Sequence, residues 1–269
     1  MKLASLADKM AAIARRDLLT TLRYRNGFLL ATGGAAAELA AFYFLARAIG
    51  PGFRPDGMDY FPFVLVGTGF YTFLIAAINS FQHIIADAQQ AGTLEVLMTT
   101  STPPPVLVSL GAISAFAGNG LYLIFYLGAG FLVFGATPAN SNLAGCAIVL
   151  ILSLAVAAAL GLLAAALQLA VQKGSAVVWL FASGTWFLTG TLFPVTALPA
   201  PLRVLAQLLP LTYSLNGMRL ALLHGASLAT LFPEVLALTL FAAVLIPFSL
   251  LVFSYTLQRA RLQGTLSFY

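Results

Sequence analysis

Side chains that could carry out catalysis are few in this sequence and lie far apart. The two histidines, His83 and His224, do not belong to a His-Glu-x-x-His pattern, which zinc proteases use to bind their metal. The single cysteine, Cys146, lies in an apolar run, so we expect neither a disulfide nor a cysteine metal site. Ser183 precedes Gly184, but a serine beside a glycine is weak support for a nucleophile in an apolar helix. These observations argue against a protease.

Nucleotide hydrolysis can be tested in the same way. A phosphate-binding loop has the pattern Gly-x-x-x-x-Gly-Lys-Ser/Thr, because its backbone amides and its lysine surround the phosphates. The only lysines are Lys2, Lys9 and Lys173, and they precede Leu, Met and Gly. The motif is therefore absent. We expect that the chain is not an enzyme and binds no cofactor or metal itself.

Three polar residues in apolar surroundings are candidates for a transport pathway. Glu38 lies near the middle of an apolar run, where a carboxylate costs a few kcal/mol and marks a pathway by default. It is equally compatible with a protonated or hydrogen-bonded side chain at a helix interface. Asn79 and His83 lie near the end of the next run, where His83 and Asp87 are four residues apart and could pair. The alternative is a helix end that meets water.

Composition places the chain in a membrane. The 269 residues are 61% hydrophobic and 8% charged, whereas soluble domains carry roughly 25% charged residues. The net charge of +5 does not indicate nucleic acid, because most basic residues flank the apolar region. By the positive-inside rule this places both termini in the cytoplasm. The residues are Lys2, Lys9, Arg15, Arg16, Arg23 and Arg25 before the first apolar run, and Arg259 and Arg261 after the last.

The hydrophobic pattern predicts an all-α integral membrane protein with one domain over residues 1–269. Residues 3–24 are amphipathic and predict a helix in the headgroup plane, or an ordinary solvated juxtamembrane helix. We expect most aromatic residues of the second and third runs to face lipid or form interfacial belts. Six membrane spans are predicted at about 27–49, 61–86, 106–135, 143–171, 175–193 and 231–256.

Two further segments interrupt the spans. Residues 87–105 form a polar segment whose middle reads as a short amphipathic helix, ended by three prolines. Residues 194–230 are divided by prolines into pieces too short to span, which predicts a re-entrant hairpin of two short helices. Arg203 and Arg219 are expected at the wet edges of this hairpin.

Both segments resemble parts of one transporter family. Gly92-Thr93-Leu94-Glu95-Val96-Leu97 is similar to the coupling segment of type-2 ATP-binding-cassette (ABC-2) exporter permeases, and residues 192–219 are similar to their external re-entrant region. The resemblance implies that residues 87–105 dock on a separate ATPase. The implied coupling residues are Gly92, Thr93, Leu94 and Glu95, and we expect docking through Leu94, Leu97 and Met98, with Glu95 as the main charge. The implied re-entrant residues are Pro199, Pro210 and Arg219. Gln89-Gln90-Ala91 stands where the family usually has charged residues.

The resemblance also implies the rest of the system. ABC ATPase subunits would hold ATP and Mg, and a second permease copy or a homologue would complete a dimer in the bacterial inner (plasma) membrane. We expect export of a hydrophobic or amphipathic substrate such as a drug or lipid. The alternatives are export of a lipid-linked polysaccharide and, from another class, an ion-coupled secondary transporter that uses Glu38.

Overall fold

The computed structural model describes residues 25–94, 104–135, 141–171 and 174–263. In these ranges the chain forms helices joined by turns and contains no strand, which confirms the all-α prediction for this part. The α-helices of these ranges are α1 (Arg25–Ile49), α2 (Tyr60–Gln90), α3 (Pro104–Val133), α4 (Leu143–Val171), α5 (Gly174–Leu188), α6 (Ala200–Gln207), α7 (Pro210–Leu223) and α8 (Phe232–Gln263).

Three helices are long and apolar enough to cross a membrane, namely Tyr60–Gln90, Leu143–Val171 and Phe232–Leu262. Each predicted span coincides with a helix, α1 to α5 and α8, while the crossing of all six stays a prediction. The fifth predicted span, 175–193, extends beyond the C-terminal end of helix α5. Helix α5 ends at Leu188, since Gly190 takes a φ of +79° and turns the chain.

Helix α2 lies at the centre of the bundle and contacts α1, α3, α4, α5 and α7. The expectation that most aromatic residues of the second and third runs face lipid is therefore wrong. Lipid tails and a protein interior are equally apolar, so composition alone does not distinguish them. The buried rings are Phe61, Phe63, Phe70, Tyr71, Phe73 and Phe81 of α2 and Tyr126 of α3.

Two short helices, α6 and α7, lie within residues 194–230, and the entry of this hairpin into the membrane stays a prediction. Pro199 precedes the first residue of α6, and Pro210 is the first residue of α7, where its missing N–H costs nothing. Asn142 fastens this hairpin to α4. Its backbone N–H donates to Ala221 O at 2.9 Å and its Nδ2 to Ala226 O at 2.8 Å, while its Oδ1 accepts the Gly145 N–H.

The two ends of the bundle differ in content. We call the end where α2 finishes and α3 begins the coupling end, and the end that carries α6 and α7 the hairpin end. An apolar cluster fills the coupling end and includes Phe81, Ile85, Leu94, Val108, Leu169 and Phe253. The predicted helix at 3–24 and the coupling residues Glu95, Leu97 and Met98 lie outside the described residues.

Candidate functional site

A cleft of about 810 Å³ opens between α2 and α5. Its aromatic walls include both tryptophans of the chain, Trp179 and Trp186, together with Phe187 of α5 and Tyr71 of α2. Trp179 and Phe187 are 69% and 54% exposed, so their faces are available to a ligand. Ile75, Val178 and Ala182 complete the apolar lining.

A strip of polar side chains runs along the α2 side of the same cleft. It consists of Asn79, Gln82 and His83, and Ser183 faces it from α5. The Asn79 Oδ1 atom is buried and has no hydrogen-bond partner among the described residues. Sites for small molecules are mostly apolar with a few polar groups that fix orientation. The cleft therefore suits an amphipathic molecule with a hydrogen-bonding group.

Tyr71 holds the two walls of the cleft together. Its hydroxyl is 2.7 Å from Thr185 Oγ1 and also contacts the Ala182 carbonyl oxygen. Thr185 in turn donates to Phe181 O at 2.8 Å, one turn earlier on α5. Since Tyr71 is only 5% exposed, these bonds are shielded from water and fix α5 against α2.

The structure brings two of the three predicted pathway residues together and separates the third. Asn79 and His83 both line the cleft, whereas Glu38 on α1 does not. Glu38 is exposed in this chain and lies near Tyr122 and Tyr126 of α3. The neighbouring Gly33 and Gly34 are also exposed, with nothing within 4 Å of the position of a Cβ atom.

The coupling segment begins at the C-terminal cap of α2, and the geometry of this cap explains why a glycine, Gly92, stands there. Gly92 has a φ of +64° and ends α2 in the left-handed conformation. Its N–H donates to Gln89 O at 3.2 Å, and the Thr93 N–H donates to Ala88 O at 3.0 Å. This pair of bonds is a Schellman motif, which favours glycine at that position. The cap fixes the direction in which the coupling segment leaves the bundle.

Leu94 lies in the chain's own core. It is 1% exposed and belongs to the apolar cluster of the coupling end with Ile85 and Val108. The sequence predicts this side chain on the face that docks on an ATPase. Helical spacing places an apolar residue on a face, but it does not tell which neighbour covers that face.

Arg219 is buried, so the expectation of a wet edge is wrong. It is 4% exposed, and its guanidinium donates to three backbone carbonyl oxygens: Nε to Phe63 at 3.0 Å, Nη1 to Gly190 at 2.9 Å and Nη2 to Thr191 at 2.8 Å. The planar fork of arginine suits such an arrangement because it offers several donors in one plane. Arg203, in contrast, is exposed as expected.

Comparison with protein families decides the identity of the chain. Residues 9–223 match the ABC-2 type transporter family. The chain belongs to this family. It is the membrane domain of an ABC transporter, a permease that is not itself catalytic and that works in this family with an ABC ATPase. A comparison with curated proteins gave no match.

Sequence reasoning missed the aromatic walls of this permease's cleft and the glutamines behind it. Gln82 and Gln89 are seven residues apart, which places both on one face of α2. Gln168 stands alone in the apolar sequence of α4. These glutamines lie on the same helix faces as buried apolar residues. That pattern could have indicated that their amides are buried, but it does not show which groups they bond.

Proposed function

We propose that this chain is the permease subunit of an ATP-driven exporter that moves a hydrophobic or amphipathic substrate, such as a drug or lipid, out of the cell. The observation that supports this substrate class is the cleft between α2 and α5. Its exposed aromatic rings, Trp179 and Phe187, would hold an apolar body, and Asn79 would hydrogen-bond a polar group.

The proposed topology has six spans in the bacterial inner membrane, with the coupling end and both termini in the cytoplasm. Basic residues support this orientation. Arg259 and Arg261 lie in the last turns of α8, at the coupling end, and six further basic residues lie before α1 or at its first residue, Arg25. The hairpin of α6 and α7 would then enter the membrane from the outer side.

The coupling segment, residues 87–105, would dock on the ATPase that holds ATP and Mg. Because Leu94 is buried in the permease, we assign the docking contacts to the exposed Gly92 and Thr93 and to Glu95, Leu97 and Met98. Leu94 would instead anchor the segment, so that a push from the ATPase reaches the helices of the coupling end.

A second permease copy or a homologue would cover the exposed face of α1. A carboxylate such as Glu38 is costly when it faces hydrocarbon, so intramembrane carboxylates face protein or a water-filled cavity. The exposed Gly33 and Gly34 on the same helix would let another helix approach closely.

Reconstitution tests the proposed function. The chain is placed in liposomes with its partner ABC ATPase, and ATP-dependent transport is followed with rhodamine 6G as the drug-like probe and nitrobenzoxadiazole-labelled phosphatidylethanolamine as the lipid probe. We expect transport of at least one probe, and loss of that transport in Phe187→Ala, which removes an exposed ring of the cleft. Phe248→Ala on α8, a ring that is 53% exposed and does not line the cleft, is the matched control.

The alternatives predict different results in the same liposomes. Transport driven by a proton gradient alone, lost in Glu38→Gln and unaffected by ATP, would establish the ion-coupled transporter. ATP-dependent export of a lipid-linked polysaccharide with no movement of either probe would establish that alternative substrate class.

A further inference from the structure

Three glutamine side chains form a buried series of hydrogen bonds between α2 and α4. Gln82 Nε2 donates to Gln168 Oε1 at 3.2 Å, and Gln168 Nε2 donates to Gln89 Oε1 at 3.3 Å. None of the three residues is more than 3% exposed. We call Gln82, Gln168 and Gln89 the amide relay.

The two ends of the amide relay lie at the two functional parts of the molecule. Gln82 lines the cleft between α2 and α5. Gln89 belongs to the helix cap at the start of the coupling segment, where its backbone carbonyl oxygen accepts the Gly92 N–H at 3.2 Å. The two residues are about 10 Å apart along the axis of α2, because a helix rises 1.5 Å per residue. Gln168 bridges this distance from α4.

The two bonds of the amide relay can form in either direction. A glutamine amide is both a donor and an acceptor, so rotating the three amides reverses the direction of the series. In the observed direction Gln89 Nε2 is left without a partner among the described residues. In the reversed direction this atom would donate to Gln168. The two observed bonds, at 3.2 and 3.3 Å, are long for N–H···O hydrogen bonds, whose usual range ends at about 3.2 Å.

We propose that the amide relay transmits the state of the cleft to the start of the coupling segment, and that Gln168 is the positioning residue between them. A ligand that hydrogen-bonds to Gln82 selects one direction of the series. The selected direction sets the bonding of the Gln89 side chain, and the backbone carbonyl oxygen of the same residue accepts the Gly92 N–H of the cap. The proposal rests on the proposed function, since it assigns the cleft to the substrate and the segment to the ATPase.

Coupling between two sites is reciprocal, so the ATPase must also change the cleft. This direction can be measured without knowing the substrate. Trp179 and Trp186 are the only tryptophans of the chain, and both line the cleft. Incorporating 5-fluorotryptophan into this subunit alone therefore places fluorine labels at the cleft of the complete complex with its ATPase. The probe is the Mg complex of a non-hydrolysable ATP analogue.

In the wild-type complex we expect the analogue to shift at least one fluorine resonance. In Gln168→Met, which keeps the chain length but removes the amide, we expect most of that shift to be lost. The matched control is Ser153→Ala, which removes a buried hydroxyl from the same helix that has no partner among the described residues. This control should keep the full shift. Analogue binding should be unchanged in both variants.

The outcomes separate the two proposals. If the analogue shifts no fluorine resonance in the wild-type complex, the proposed function is overturned, because nucleotide binding at the ATPase would not change the cleft. A normal wild-type shift that persists in Gln168→Met would overturn the amide relay alone. If Gln168→Met fails to fold, Gln82→Met and Gln89→Met decide in the same way. Loss of the shift in Ser153→Ala as well would reduce the role of Gln168 to general packing, and that result also overturns the relay.

Discussion

The guanidinium of Arg219 stacks on the ring of Phe63, with Cζ 3.6 Å from the ring centroid, and its Nε donates to the carbonyl oxygen of the same residue at 3.0 Å. One side chain of α7 thus contacts both the ring and the backbone carbonyl of Phe63 in the first turn of α2. The other guanidinium nitrogens hold Gly190 and Thr191 in the turn after α5. Arg219 therefore joins three parts of the hairpin end at a single point.

Replacing Arg219 by alanine should strongly destabilise the protein. The change removes the buried donor that Arg219 supplies to three carbonyl oxygens, and an unsatisfied buried polar group costs about 1–3 kcal/mol. We expect a loss of about 3 kcal/mol or more in thermal or denaturant unfolding in detergent. Arg219→Lys should lose less, because it keeps the charge near the ring but not the fork.

Arg203→Ala is the matched control for Arg219. Arg203 also donates to two backbone carbonyls of the same hairpin, Thr196 O at 2.6 Å and Leu198 O at 3.1 Å, but it is exposed. Water can replace its bonds, so the unfolding midpoint should hardly change. Equal losses in both variants would show that burial does not decide the strength of these contacts.

Gly67→Ala should displace the Arg219 side chain. A Cβ atom on Gly67 would overlap Arg219 Nη2 and lie 2.7 Å from Thr191 O, and overpacking of this kind costs about 1–3 kcal/mol. Gly118→Ala in α3 is the control, since nothing lies within 4 Å of its Cβ position. Alanine is the better helix former by about 1 kcal/mol, so this control should be neutral or stabilising. Stabilisation by Gly67→Ala would contradict the arrangement around Arg219.

Gly92→Ala should weaken the cap of α2 without any steric clash. The φ of +64° disfavours a side chain, while nothing lies within 4 Å of the Cβ position. We expect a cost of about 1 kcal/mol and a smaller one for Gly92→Asn, since asparagine tolerates this conformation. Thr93→Ala should be nearly neutral for stability, because the cap uses only its backbone N–H. Thermal unfolding in detergent measures all three.

Substitutions at Leu94 and Glu95 should affect different properties, the stability of the permease and its binding to the ATPase. Leu94→Ala removes a side chain that is 1% exposed, and such changes cost about 2–5 kcal/mol in a core. We expect a lower melting temperature for the permease alone. Glu95→Lys should leave that temperature unchanged and weaken binding to the ATPase, measured by titration of purified subunits. Unchanged stability in Leu94→Ala would contradict its place in the core.

The sequence by itself determined the membrane class, the positions of the helices and several of their ends. Apolar runs of sufficient length predict helices, and prolines and glycines such as Pro210 and Gly92 mark their limits through local backbone preferences. The family also followed from local motifs. These features depend on residues that are close in sequence, so they can be read without knowing the fold.

Only the tertiary structure decided which side of each helix is covered. Arg219 looked like an edge residue and Leu94 like a docking residue, and both are buried because other helices lie over them. The bond between Gln82 and Gln168 joins residues 86 positions apart, a distance over which spacing carries no information. In a membrane protein, lipid and core favour the same side chains. The apolar pattern therefore reveals a helix but not its neighbours, and the cleft and the amide relay exist only where neighbours meet.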